Sequence, residues 1–375
     1  MDNKIKFIAM YLPQFHYIPE NDLFWGKGFT DWVSVKKSKP LFEGHIQPRE
    51  PLNDNYYDLS IKKNIEWQAK LSKENGLYGF GIYHYWFNND INLLTKPAEI
   101  IRENHDIEIN YFFAWDNANW KRSWSNVSGN SWAITQEIQT QKIDGPQILI
   151  PYILGREKDW ENHFNEILKY FSDERYIKKD GKPVFIIMQY SKGIAEMCSY
   201  WEVLARNAGY PGMHIIFKGG VEIHAAKSDY QFHYEPIFSG WANIGFSTRV
   251  RNKIFRTLHI DYTNRIRLLS YDKIWVSLLK TARSCKNPNF YHGAFVSYDD
   301  SPRRGHRAII VQGSCPEKFK KYLLQLAEIS KEQNKEFIFI TAWNEWGEGA
   351  CLEPDKLNQF GYLTALKEVD QTIND

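Results

Sequence analysis

The chain alternates short apolar runs with longer amphipathic segments, and this alternation restricts its possible fold more than any other feature. The apolar runs are rich in β-branched and aromatic residues, as strands are, and most segments between them have the apolar spacing of helices. Strands that alternate with helices are typical of a parallel sheet with crossover connections. Eight strands are predicted, at residues 5–12, 78–86, 109–115, 183–189, 213–218, 230–234, 292–298 and 336–343.

Helices are predicted between several of these strands. In residues 158–171, for example, Trp160, Phe164, Ile167 and Phe171 recur at helical spacing and define one apolar face. The predicted helices lie near residues 60–75, 158–171, 194–208, 316–331 and 360–372. Eight strands with intervening helices indicate an α/β fold of the (β/α)8 TIM-barrel type, and an open doubly wound sheet is the alternative.

The length of the chain is compatible with one large domain. Its 375 residues would make two or three domains of average size, yet single α/β barrels often exceed about 250 residues. No internal repeat, low-complexity tract or linker divides the sequence. We therefore predict a single (β/α)8 catalytic domain over residues 1–375, with loop excursions near 12–57, 116–150 and 237–290.

Charge, hydropathy and cysteine content argue against several classes of protein. The net charge is +2 without a basic block, so nothing indicates a nucleic-acid partner. No apolar run reaches the roughly 18 residues of a membrane-spanning helix. The start of the chain lacks the apolar stretch of a signal peptide, and the four scattered cysteines fit a reducing compartment. We therefore expect a cytoplasmic protein.

No motif for a cofactor or a metal is present. The chain has no P-loop, no Gly-x-Ser-x-Gly elbow, no His-Glu-x-x-His pair and no Asp-x-Asp pair. Its histidines and cysteines lack the spacing of zinc ligands. We therefore expect neither a metal nor an organic cofactor.

Two glutamates follow the eighth predicted strand. Residues 337–349, FIFITAWNEWGEG, run from an apolar strand into Asn344, Glu345 and Glu348. When two carboxyl groups are buried close together, one of them tends to keep its proton. Glycosidic bond cleavage uses this asymmetry, with one carboxylic acid and one carboxylate. Solvated loop glutamates beside packing tryptophans, Trp343 and Trp346, are the alternative interpretation.

Aromatic residues make up 16% of the chain, and many of them fall at or just after predicted strand ends. Tyrosine and tryptophan combine an apolar face with a polar edge, which suits a sugar ring. Ordinary core packing is the alternative. Ten rings are predicted to line one cleft: Trp25, Trp32, Tyr83, Tyr85, Trp86, Trp115, Trp120, Trp124, Trp343 and Trp346.

Polar residues also follow the predicted strands, and the carboxyl ends of barrel strands are where active sites form. Strand alternation places Tyr83 and Tyr85 on one face, with His84 and Trp86 on the other. Turn formation is a strong alternative for Asn117. The complete set of candidate substrate-binding residues is Tyr11, Gln14, His16, Trp25, Asp31, Trp32, Tyr83, His84, Tyr85, Trp86, Trp115, Asp116, Asn117, Asn119, Trp120, Arg303, Trp343, Asn344 and Trp346.

Several segments together resemble one known family. They include YLPQFH at 11–16, YGFGIYHYWF at 78–87, FFAWDNANWKRSW at 112–124, DDSPRRGHR at 299–307 and TAWNEWGEG at 341–349. In this order they resemble the WbsX-type glycosyltransferase-like family, which is associated with bacterial lipopolysaccharide, O-antigen and capsule gene clusters. The resemblance extends from about residue 6 to 365. Members of that family often carry alanine where this chain has Gly347.

The family is in turn distantly similar to endo-α-mannosidases, which are (β/α)8 barrels with a Glu-x-x-Glu pair that matches Glu345 and Glu348. The resemblance implies that Glu345 acts as a base on the 2-hydroxyl of the substrate, through a 1,2-anhydro sugar. It implies that Glu348 is the general acid and base.

The sequence therefore predicts a carbohydrate-active enzyme that makes or breaks glycosidic bonds of a bacterial surface polysaccharide, with Glu345 and Glu348 as catalytic residues. Its expected partner is an oligosaccharide or polysaccharide substrate. Two alternatives stay open: a glycosyltransferase that depends on a nucleotide sugar, and a catalytically silent glycan-binding protein. The sequence indicates neither the sugar nor the oligomeric state.

Overall fold

The computed structural model describes residues 4–121, 148–219, 230–242 and 266–375, and its centre is a closed ring of eight parallel strands. The barrel strands are β1 (Lys6–Tyr11), β2 (Gly79–Asn88), β3 (Asn110–Trp115), β4 (Lys182–Ile187), β5 (His214–Lys218), β6 (Tyr230–Phe232), β7 (Phe290–Phe295) and β8 (Phe337–Thr341). Each strand pairs with the next, and β1 pairs with both β2 and β8. The predicted (β/α)8 barrel is confirmed.

Helices connect or follow most of these strands. They are α1 (Lys62–Glu74), α2 (Lys96–Glu103), α3 (Glu157–Phe171), α4 (Ile194–Asn207), α5 (Tyr271–Ser284), α6 (Pro316–Glu332) and α7 (Gly361–Asn374). In α3 the predicted apolar face is the buried one, with Phe164, Ile167 and Phe171 almost inaccessible. Across the described part of the chain, no helix combines the length and apolar character needed to cross a bilayer.

Two of these helices, α2 and α5, lie in segments without a predicted element. Helix α2 has eight residues, fewer than the window of about 11 that a periodicity needs to stand out. In α5 the signal is present, because Ile274, Leu278 and Ala282 are buried at helical spacing. The helix was missed because residues 237–290 were predicted as one loop excursion.

Shorter elements decorate the barrel. Residues 12–57 contain the helices Pro19–Trp25 and Asp31–Lys37, and a main-chain bond from Leu52 to the carbonyl of Pro354 ties this excursion to the segment after β8. The other two predicted excursions are described only in part, and Trp124 lies outside the described residues. The remaining short helices, strands and turns are Leu52–Asp54, Ile91–Leu93, Trp120–Lys121, Ile148–Ile150, Lys178–Lys179, Ile237–Ala242, Arg267–Ser270, Ser301–Arg304, Gly305–Arg307, Ile309–Gln312, Asn344–Glu345, Trp346–Glu348 and Ala350–Cys351.

Two asparagines join neighbouring strands where the ladder of main-chain hydrogen bonds ends. The side-chain oxygen of Asn344 accepts from the Leu12 amide at 2.7 Å, and its nitrogen donates to the Leu12 carbonyl at 3.0 Å. Asn117 forms the same pair of bonds with the main chain of Gln189, at 2.7 and 2.6 Å. Both asparagines are predicted above to contact substrate, and the structure shows their amides bonded to the main chain. They satisfy backbone groups that would otherwise be buried and unpaired.

Replacing Asn344 by alanine should weaken the seam between β8 and β1. Asn344→Ala leaves both the amide and the carbonyl of Leu12 unpaired in a buried position, so we expect a loss of about 2–4 kcal/mol of unfolding free energy. Urea denaturation measures this loss. Asn207→Ala, at the exposed end of α4, is the matched control, with an expected change within about 0.5 kcal/mol. Equal losses of unfolding free energy in both variants would contradict the proposed role of Asn344 in joining β8 to β1.

Candidate active site

One guanidinium group holds three carboxyl groups together beyond the carboxyl ends of the strands. Nη2 of Arg303 lies 2.9 Å from Asp31 Oδ2 and 3.1 Å from Glu345 Oε2, and Nη1 lies 2.9 Å from Glu348 Oε1. The side chains of Arg303, Asp31 and Glu345 are less than a tenth exposed, whereas that of Glu348 is 18% exposed. The two predicted catalytic glutamates therefore meet at one buried cation, and Glu348 is the more accessible of the two.

The loops after β1, β7 and β8 supply these four groups. Asp31 begins the helix Asp31–Lys37, and Arg303 lies in the helix Ser301–Arg304, whose second residue is a proline in the first helical turn, where proline is tolerated. Glu345 ends the short strand Asn344–Glu345, and Glu348 ends the turn Trp346–Glu348. The short Glu-x-x-Glu spacing thus becomes a tight turn that directs both carboxyl groups at Arg303.

The pKa of Glu345 lies far above its ordinary value. Burial raises it to about 8, and the carboxylates of Glu348 and Asp31 act in the same direction. The Arg303 guanidinium opposes this rise without cancelling it. One cation cannot compensate three carboxylates in a site so closed to solvent, so the cluster retains a proton near neutral pH.

Tyrosines from β2 and from the segment after β6 surround this cluster. Tyr83 and Tyr85 lie on the same face of β2, and the Tyr83 hydroxyl is 2.6 Å from that of Tyr234. Burial raises the pKa of all three phenols, and the charge of Glu345 acts in the same direction on each. Tyr83 and Tyr85 were predicted for this site, whereas Tyr234 was not.

Asp116 and Lys218 add an acid and a base near the same carboxyl groups. Burial raises the pKa of Asp116 to about 6, with Lys218 opposing and Glu348 reinforcing the rise. Burial lowers the pKa of Lys218, whose ammonium lies 5.7 Å from the Tyr234 ring. Lys218 ends β5 and was missed, although its place at a strand end is the signal that identified the other candidates.

The other face of β2 belongs to the core, as strand alternation requires. Nε2 of His84 lies 2.9 Å from Nε2 of His163 on α3, and Trp86 stacks on that histidine at 4.7 Å. The Trp115 indole donates to the main-chain oxygen of Trp86 at 2.8 Å. His84, Trp86 and Trp115, predicted above to contact substrate, fill the space between barrel and helices.

Four further candidates are packed within the protein. They are at most 5% exposed, and the polar atoms of three of them bond to protein groups. The Trp32 indole, for example, donates to the main-chain oxygen of Tyr57 at 2.8 Å. These four are Tyr11, Trp32, Trp343 and Trp346.

Five candidates remain: Gln14, His16, Trp25, Asn119 and Trp120. Trp120 packs edge-on against Tyr85 at 5.7 Å, and so borders the site. The Asn119 side chain is occupied by the Tyr152 amide at 2.6 Å. His16 is buried, and this burial lowers its pKa. The half-buried residues Gln14 and Trp25 complete the set.

The described ranges contain no candidate metal site. No group of three or more histidine, cysteine, aspartate or glutamate side chains there is arranged to hold a metal ion. The three carboxyl groups of the cluster are instead paired with the Arg303 guanidinium.

Comparison with known sequences identifies a family. The model of the family described as glycosyltransferase WbsX matches residues 7–366. Two curated relatives, both an uncharacterized protein WxcX from strains of Xanthomonas campestris pv. campestris, are 27% identical over 369 residues. The match covers 96% of this chain and 49% of each relative, so the chain spans about half the length of the curated relatives it matches.

Comparison with solved structures supports the barrel. The fold is similar to that of a GH99 endo-alpha-mannosidase from Bacteroides thetaiotaomicron, with 14% identity, a TM-score of 0.56, and coverage of 100% of this chain and 98% of that one. A structure described as a glycoside hydrolase-like protein has a TM-score of 0.55 at 14% identity, covering 98% of this chain and 94% of that one. At such identities the similarity concerns the fold.

Gly347 lets the turn between the glutamates approach Arg303. A Cβ atom at this position would lie 2.4 Å from Arg303 Nε and 2.5 Å from Asp31 Oδ2. Family members with alanine here must place the turn or the guanidinium differently. In this chain, Gly347→Ala should therefore displace the ion pairs and lower the unfolding free energy by about 1–3 kcal/mol in urea denaturation. In the control Gly240→Ala, the new Cβ meets nothing closer than 3.4 Å, and stability should not fall. An unchanged Gly347→Ala variant would contradict this close approach.

Proposed function

This chain belongs to the WbsX glycosyltransferase family, and we propose that it makes or breaks glycosidic bonds through Glu345 and Glu348. The observation that carries the proposal is the meeting of these two carboxyl groups at one buried guanidinium beyond the ends of the barrel strands. Such a pair can hold one proton and one negative charge, which is the state that general acid and base catalysis at a glycosidic oxygen requires.

In the proposed reaction, substrate binding moves the shared proton, which lies mainly on Glu345 in the free protein, to Glu348. Glu345 then accepts the proton of the sugar 2-hydroxyl while Glu348 donates a proton to the departing oxygen. The 2-oxygen then bonds to the anomeric carbon as the glycosidic bond breaks, giving a 1,2-anhydro sugar. An incoming hydroxyl group opens this ring and gives its proton to Glu348, while Glu345 returns its proton to the 2-oxygen. These roles follow from the resemblance to endo-α-mannosidases, and the greater exposure of Glu348 suits contact with a leaving group.

Arg303 has a supporting role in this proposal. Its side chain is occupied by Asp31, Glu345 and Glu348, so it serves the substrate indirectly, as the counterion that keeps the glutamates in place. Removing one partner of a buried ion pair leaves an uncompensated charge, which is strongly unfavourable. Direct contact with sugar hydroxyls falls instead to Asp116, Lys218 and the inner tyrosines.

The proposed substrate is a bacterial surface polysaccharide such as a lipopolysaccharide O-antigen or a capsule. This substrate class rests on the family to which the chain belongs. The incoming hydroxyl is either water or a sugar, and the family's description as a glycosyltransferase favours a sugar. Tight, magnesium- or manganese-dependent binding of nucleotide sugars in calorimetry would instead indicate the conventional transferase alternative.

Substitution of the two glutamates should separate their roles. Glu348→Ala should lower turnover of natural glycans by about 10²- to 10⁴-fold while glycan affinity stays largely intact. With aryl glycosides whose leaving groups need no protonation, Glu348→Ala should recover most of its activity in the first step. Glu345→Ala should stay inactive on both substrates. Product analysis by chromatography and mass spectrometry over a panel of bacterial glycans measures turnover.

The exposed Glu332→Gln, at the end of α6, is the control and should retain full activity. If Glu345→Ala, and not Glu348→Ala, recovers activity with the aryl glycosides, then Glu345 is the general acid and Glu348 is the base. Glycan binding without turnover by any form of the protein would favour the silent glycan-binding alternative.

The activity should depend on pH through the proton that the pair shares. Both role assignments need one proton on the pair, so kcat/KM should be bell-shaped. Because the pKa of Glu345 is raised to about 8, activity should fall as pH rises through about 8, where the shared proton leaves. Initial rates from pH 4 to 10 test this. A kcat/KM that keeps rising above pH 9 would contradict a shared catalytic proton.

A further inference from the structure

Another buried carboxyl group, that of Glu353, lies behind the turn that carries the glutamate pair. It is 2% exposed. Its Oε2 accepts from the Trp346 indole at 2.6 Å and from the Tyr57 hydroxyl at 2.7 Å, and its Oε1 accepts from Gln68 at 2.7 Å. Three donors thus converge on one carboxylate in a place closed to solvent.

These donors link Glu353 to rigid parts of the barrel. Gln68 belongs to α1, and its side-chain oxygen accepts from the Tyr11 hydroxyl at 2.8 Å, at the end of β1. All three contacts of Glu353 are donors in this arrangement, so they suit an ionised carboxylate. The Trp346 indole in particular can only donate.

Trp346 connects this network to the catalytic pair. It stands between Glu345 and Glu348 in the chain, and its ring packs against that of Trp32 at 5.5 Å. Trp32 directly follows Asp31, the third carboxylate on Arg303. The turn is therefore held by Arg303 at the glutamates and by Glu353 at the tryptophan between them.

A carboxylate is an unfavourable way to fill such a position. Burial raises the pKa of Glu353 to about 7, against the effect of its hydrogen bonds, and Tyr11, Tyr57 and Cys351 are the titratable groups on which its charge acts. Replacing buried charges by well-packed apolar residues often stabilises a protein. A role other than stabilising the fold therefore explains better why a carboxylate is buried at position 353.

We propose that Glu353 is a positioning residue that orients the turn Trp346–Glu348 through the Trp346 indole, and thereby sets how the glutamates face Arg303. Its catalytic consequence rests on the proposed function, but the orientation itself does not. Glu353 touches no reacting atom in this proposal and acts only through Trp346.

The test is a titration of Glu345 in the full chain without substrate. Carbon-13 NMR of labelled glutamate side chains follows its carboxyl group, with Glu345→Gln used to assign the signal. In Glu353→Gln the loosened turn should admit water, so the Glu345 midpoint should fall from about 8 toward its ordinary value by at least half a pH unit. Trp346→Phe should produce the same fall, and the double variant should show no further fall.

The matched control is Glu336→Gln. Glu336 precedes β8 at the opposite end of the barrel and pairs with Lys6 and Lys179, so this variant should lose stability without moving the Glu345 midpoint. If Glu353→Gln does not fold, Tyr57→Phe removes one donor of the same network and should shift the midpoint in the same direction. A lower melting temperature with an unchanged midpoint, or additive effects in the double variant, would overturn the proposal.

Turnover gives a separate readout. If a glycan substrate is found, Glu353→Gln should lower kcat at least tenfold with little change in KM, because the turn and not the sugar subsite is disturbed. A shifted Glu345 midpoint in a protein without turnover would support the positioning role while the proposed function fails. An unchanged Glu345 midpoint in a protein with turnover would overturn the positioning role while the proposed function stands.

Discussion

The bond between Arg303 and three carboxyl groups is the interaction on which the rest of the site depends. One cation and three acids in a space nearly closed to solvent cannot all be charged without a large cost, so the cluster keeps a proton and places it mainly on Glu345. The loops after β1, β7 and β8 each deliver one side of this cluster. The conformations of these loops depend on one another, because each loop supplies a charged group that pairs with a group on another loop.

Much of the fold could be predicted because the barrel is encoded locally. Strands buried on both faces appear as apolar runs, and all eight predicted runs overlap barrel strands. The polar residues that end the last of these runs were enough to identify Glu345 and Glu348 as candidates. The role of Arg303 could not be predicted in this way, since it depends on contacts between distant segments. Lys218 could have been found, because it ends a predicted strand.

The aromatic residues divide by type in a way that the sequence alone did not indicate. Tyr83 and Tyr85 face the carboxyl groups, whereas Trp86 and Trp115 fill the gap between β-strands and helices. Strand alternation separates the faces of β2 but does not say which one is inside. Several indole N–H groups are bound within the protein, as at Trp32, so these rings are structural.

The contact between Asp31 and Arg303 spans 272 residues of sequence, and this separation has a consequence for folding. Contacts so distant along the chain form late, because the intervening loop must first lose its conformational freedom. Before the last two barrel strands arrive, Asp31 has no guanidinium to meet and must stay hydrated. The acidic cluster can therefore dehydrate only when the ring closes, which makes a fully assembled site a marker of the completely folded barrel.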